Sequence, residues 1–146
     1  MNLFKLAQRE QDGEEKDTRS ETREVIPTSC IKKLMEAQNS IRMHHWLTSS
    51  YAKHKALGKA YKDLDELIDT FVEAFIGVKG KKVLSGISGL SLISGGDCIE
   101  VVERLEAVLR TEVSKEVGST ETALLNIRDE MLATVSRTKY LLAQGG

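Results

Sequence analysis

With 146 residues, 29% charged and 40% hydrophobic, and a formal net charge of −1, the chain is long enough for one domain that buries about 68–70% of its unfolded surface. That balance lacks the cationic field that drives nonspecific association with polyanions, so nucleic-acid binding is not supported by charge. One proline, two isolated cysteines and no apolar run near the roughly 18 residues that span a bilayer argue against a β-rich, disulfide-stapled or membrane protein, and favour an all-α domain in a reducing cytoplasm.

Residues 1–27 read as a charged, disordered arm. Residues 7–25 carry both signs of charge with almost nothing apolar, too little to offset the entropy of ordering. Leu3, Phe4 and Leu6 form a short apolar tag that suits docking on an unidentified partner, and Met1–Leu6 is too short for a signal peptide. A bundle domain over 28–146 follows.

Helix A is expected over 28–46, capped near Thr28 and Ser29, with Ile31, Leu34, Gln38, Ile41 and His45 on one stripe and His44 at the surface. The hydroxyl-rich run Leu47-Thr48-Ser49-Ser50 breaks it, because such side chains compete for backbone bonds. Helix B, 51–76, closes at Gly77, a residue suited to the left-handed conformation past a helix end. The glycine- and serine-rich segment 78–96 keeps Val83, Leu84, Ile87, Leu90, Leu92 and Ile93 for partial burial, and matches neither the P-loop nor the dinucleotide pattern. Asp97 caps helix C, which runs to about 117 with Ile99, Val102, Leu105 and Val113 inward. Gly118-Ser119 separates it from helix D, about 120–143, with Leu124, Ile127, Met131, Val135, Thr138 and Leu142 inward.

Candidate chemistry concentrates between His45 and Glu73. In an unbroken helix His45 and His54 fall on opposite faces, so the break at 47–50 is what lets them meet. Asp69 and Glu73, four apart, share a helix face about a turn from each other and suit a cation. They lie off the core stripe of Leu57, Leu64, Ile68, Phe71 and Phe75, and His54 is about 22 Å along the axis from Asp69. One chain therefore does not bring all four groups to one ion.

The order His45-Trp46, His54, Tyr61, then Asp69-x-x-x-Glu73 resembles the Dps-like, or mini-ferritin, branch of the ferritin-like superfamily. That resemblance implies a ferritin-like four-helix bundle with a long B–C crossover, and a homo-oligomer whose two-fold interface joins His45 and His54 of one subunit to Asp69 and Glu73 of another. It implies iron as the metal, Fe(II) oxidation of ferroxidase type, iron storage and oxidative protection. The ligand set also accepts zinc or manganese. No Glu-x-x-His occurs, which argues against a di-iron site within one bundle. The alternative is a non-catalytic helical-bundle structural or interaction protein.

Overall fold

The computed structural model describes residues 29–144, which hold four helices and no strand. The expectations for the arm and for a helix start at Pro27-Thr28 lie outside the described residues. Helix α1, Cys30–Leu47, begins where the Ser29 hydroxyl accepts the Ile31 N–H at 3.2 Å and donates to the Val83 carbonyl at 3.0 Å. Glu116, from the far end of the third helical segment, adds a 2.7 Å acceptor for the Cys30 N–H. Two of the orphan donors of that helix start are thus satisfied by one local and one distant oxygen.

Hydroxyls also make the break that follows. Thr48 Oγ1 accepts the Ser50 N–H, and Ser50 Oγ accepts the Lys53 N–H, so the chain leaves α1 and opens α2 within three residues. Helix α2 spans Tyr51–Lys79 and buries Ala56, Leu57, Ala60, Leu64, Ile68, Phe71 and Phe75 at three- and four-residue steps. It runs past the expected stop at Gly77. The left-handed turn sits at Gly80 instead, with φ of 85°, while Gly77 is an exposed helical position whose surroundings are open. A glycine inside a helix costs only about 0.5–1 kcal/mol, and α2 continues through Gly77 for two further residues.

Segment 80–97 contains one 3-10 turn, Lys81–Leu84, and is held more by polar bonds than by apolar burial. Glu36 accepts the Ser91 N–H at 2.6 Å and Ser40 accepts the Ile93 N–H at 3.0 Å, tying the segment to α1. Val83 is buried and Ile87 and Ile93 half-buried, whereas Leu84, Leu90 and Leu92 are exposed. Helix α3, Cys98–Val108, starts at Asp97, whose carboxylate accepts the Ile99 N–H at 3.3 Å. It continues through a π turn, Leu109–Val113, and a last turn, Ser114–Val117. Ser114 Oγ donates to the Leu109 carbonyl five residues back and accepts from Arg128, which braces the wide turn from outside. Helix α4, Thr122–Gln144, buries Leu124, Met131, Thr134, Val135, Thr138 and Leu142.

The principal packed pairs are α1 with α2 and α3, and α4 with α2 and α3. One core joins them, centred on Leu34, Leu57, Phe71, Phe75, Leu105, Leu109 and Met131. No described helix is long and apolar enough to cross a membrane. The α1–α2 turn and the start of α3 lie at the same end of the packed helices, with residues of both lining one cavity.

Candidate functional site

The break at 48–50 brings His45 and His54 together. His45 Nδ1 bonds to the His54 carbonyl and His54 Nδ1 to the His45 carbonyl, each at 2.7 Å, and the rings stack with centroids 3.9 Å apart and planes 16° from parallel. A carbonyl only accepts, so each Nδ1 carries a proton, and in a neutral imidazole the lone pair is then on Nε2. The clasp staples the end of α1 to the start of α2. Gly58 makes room for it, because a Cβ there would stand 2.7 Å from Cε1 of His45.

Nδ1–H bonding to a carbonyl is the arrangement metal-binding histidines adopt, yet the stacking works against a shared ion. An ion about 2.0–2.1 Å from each Nε2 must lie near both ring planes. Planes only 16° from parallel, in rings stacked with centroids 3.9 Å apart, share no point that close to both rings. Asp69 and Glu73 are exposed on α2, further along the helix, and joining them to these imidazoles takes a second copy. Among the described residues no group of three or more His, Cys, Asp or Glu has metal-holding geometry.

What gathers around the clasp is aromatic and cationic. Trp46 is 63% and Tyr51 73% exposed. Arg42 lies 4.9 Å from the centre of the Trp46 ring and 4.7 Å from that of Tyr61, and donates to the Tyr61 hydroxyl at 2.8 Å. Lys55 sits 5.7 Å from the Tyr51 ring. His45, Tyr51, His54, Lys55, Lys59 and Lys62 border a groove of about 460 Å³. Its one carboxylate, Asp63, is held at 2.9 Å by both Lys59 and Arg137. Arg42, Lys55 and Lys62 have no carboxylate within 4 Å among the described residues.

The charge order along α2 sharpens this. Residues 51–62 hold Lys53, Lys55, Lys59 and Lys62 and no acid, while 63–73 hold Asp63, Asp65, Glu66, Asp69 and Glu73 and no base. Cations at a helix N-terminus oppose the macrodipole, at about 0.3–1 kcal/mol each where exposed. Lys59 is accounted for by its pairing with Asp63 inside the helix, whereas Lys53, in the first turn, gains nothing from the dipole. A net charge of −1 hides this corner because it sums both halves.

His44 was expected at the surface and is instead only 5% exposed. The α1 stripe drifts by one position over its last turn, so His44 turns under the bundle end and His45 is left half-buried in the clasp. His44 Nε2 has no hydrogen-bond partner among the described residues. Nearby, Asp97 is held below the usual carboxylate range by the N–H bond from Ile99 and by the Cys98 thiol, and burial pushes the Cys98 thiol up, so it stays protonated. Sequence reasoning passed over Arg42 and Gly58 and misplaced His44 at the surface; the Trp46-x-x-x-x-Tyr51 pair beside a lysine run was the available signal.

Residues 45–142 match the model of a family described as a family of unknown function, DUF5856. The chain belongs to that family. An uncharacterized 14.6 kDa protein in the mobD-ri intergenic region of Enterobacteria phage T4 is 31% identical over 110 residues, covering 75% of this chain and 82% of that one. No solved structure matches. Membership in DUF5856 replaces the Dps-like, mini-ferritin resemblance, which rested on His45, His54, Asp69 and Glu73. The physical reason is that ligand-type residues arise readily on charged amphipathic helices; here His45 of α1 and His54 of α2 form a clasp, and Asp69 and Glu73 belong to an acidic stretch of α2.

Proposed function

We propose that this DUF5856 chain is a non-enzymatic helical module that binds single-stranded nucleic acid at the Trp46–Tyr51 corner. The observation that carries the reading is two solvent-exposed aromatic rings set among cations, Arg42, Lys55 and Lys62, that have no carboxylate partner among the described residues, beside an open groove. Exposed rings offer a stacking face to any base, and lysine and arginine neutralise the phosphates between bases. A protein partner suits the corner less well, since lysine is depleted from the desolvated centres of protein interfaces. The His45–His54 clasp fixes the turn that spaces the two rings, and the corner is complete within one chain.

Trp46 is the only tryptophan, so its fluorescence reports binding directly. Titration with a single-stranded DNA or RNA of about ten nucleotides should quench it. With three or four cations engaged, log K should fall against log salt with a slope of about −2 to −3. Absence of quenching, or quenching indifferent to salt, refutes the reading; retention of a phage or host protein at this corner with no oligonucleotide binding does so too.

A further inference from the structure

A second groove, of about 390 Å³, lies between the start of α2 and the end of α4, lined by Ala52, Lys55, Ala56 and Lys59 of one and Leu141 and Gln144 of the other. Two alanines and a leucine make it apolar, and the lysine stems add methylene surface. Lys55 and Lys59 also border the groove beside His54, so a ridge of cations separates the two openings. Lys62 continues that ridge along α2. Lys59 is paired with Asp63, whereas Lys55 and Lys62 have no carboxylate within 4 Å among the described residues. Six lining residues are too few to seat a second folded domain, since a stable contact of that kind takes about 20–30 residues a side. They suit a short apolar segment followed by negative charge.

The chain carries such a piece at its own start. Leu3, Phe4 and Leu6 are apolar, and residues 10–17 then hold five acids, Glu10, Asp12, Glu14, Glu15 and Asp17, against Lys16 alone. The described residues begin at Ser29, at the far end of α1 from the α1–α2 turn, and the 18 residues of α1 are about 27 Å long. Asp17 stands twelve residues before Ser29, a stretch that spans up to about 40 Å. That covers the length of α1 and one or two helix spacings of about 8–10 Å. The order fits as well, because α2 runs back from the turn, so a chain leaving the groove toward Ser29 passes Lys59 and then Lys62. We infer that this groove is the docking site of the chain's own first residues, with Leu3, Phe4 and Leu6 in the groove and the acids of 10–17 along Lys55 and Lys62. Attachment to the same chain presents the segment at an effective concentration on the order of mM, so a contact too weak to hold a separate peptide suffices. The acids and the phosphates of an oligonucleotide would contend for the same lysines.

Amide ¹H–¹⁵N spectra of the full chain, wild type against Phe4→Ser/Leu6→Ser, test this. Both substitutions are far from the groove in sequence, so the signals of Ala52, Ala56 and Leu141 should move while those of α3 stay in place. Glu14→Gln/Glu15→Gln should move the Lys55 and Lys62 signals, and carry the groove signals part of the way to their Phe4→Ser/Leu6→Ser positions. Raising salt from about 0.1 to about 1 M, which cuts the screening length from about 10 to about 3 Å, should do the same in wild type. Ala52→Asp, at an exposed position of the groove, should move the Phe4 and Leu6 signals in return. Groove signals indifferent to Phe4→Ser/Leu6→Ser overturn the site, and Lys55 and Lys62 signals indifferent to Glu14→Gln/Glu15→Gln overturn the path of the acids and the inference with it. Groove signals that change on dilution put the segment on a second copy and overturn the same-chain contact. No oligonucleotide enters these spectra, so failure here leaves the proposed function standing, and failure of oligonucleotide binding leaves this docking standing.

Discussion

Replacing Gly58 by Ala puts the clasp on trial, because two opposing effects there have comparable size. Alanine in a helix interior is better than glycine by about 1 kcal/mol. The new Cβ, however, would lie 2.7 Å from Cε1 and 3.0 Å from Nδ1 of His45, inside contact distance of a ring that is stacked and hydrogen-bonded and so not free to yield. Moving that ring gives up the His45–His54 bond and, through the stack, its reciprocal, at about 0.5–1.5 kcal/mol each. The expected balance is a net destabilisation of about 1 kcal/mol in urea unfolding, with the m-value unchanged. In a His45→Ala background no ring is left to meet, and Gly58→Ala should then stabilise by about 0.5–1 kcal/mol. The sign reversal amounts to a coupling of about 2 kcal/mol between positions 45 and 58. Stabilisation by Gly58→Ala in the wild-type background would refute the clasp.

Other expectations follow from the same contacts. Trp46→Ala should weaken single-stranded oligonucleotide binding by about 1–3 kcal/mol in an anisotropy titration while leaving the melting temperature nearly unchanged, since Trp46 is exposed. Zinc or Fe(II) added anaerobically should give no saturable calorimetric binding that depends on His45 or His54; a stoichiometric site lost in His54→Ala would overturn the argument from parallel rings. Glu106 is held below its usual range first by the Lys139 bond and then by Arg110, and Asp97 by the Ile99 N–H. Both folded values lie below the unfolded ones, so their contribution is fully present above about pH 4.5 and is lost as pH falls through the folded values. Lys139→Met should flatten that acid limb in a pH series of unfolding curves. Ser114→Ala should cost about 1 kcal/mol by removing the hydroxyl between Leu109 and Arg128.

Periodicity made α1, α2 and α4 legible, since their buried residues recur at three- and four-residue steps, and hydroxyl chemistry located the turn at 48–50 to within a residue, Leu47 belonging to α1 and not to the break. Other features depend on tertiary choices that local pattern does not encode. The π turn at Leu109–Val113 is braced by Arg128 from another helix, and α2 passes through Gly77 to end at Gly80. Of the four expected ligands, the pairing of His45 with His54 was readable from the break between them, but its stacked geometry was not. The charge order of α2 was in plain view in the sequence and was obscured by summing over the chain. On helical energetics alone Lys53, in the first turn of α2, would be better replaced by a carboxylate at the positive N-terminus. A helix start charged against its own dipole in this way points outward for its explanation, and at that end the exposed rings of Trp46 and Tyr51 stand among the lysines. Exchanging Lys55 and Lys62 for glutamate should therefore abolish oligonucleotide binding with the helical circular dichroism retained; a folded variant that kept its affinity would separate the charge order from binding altogether.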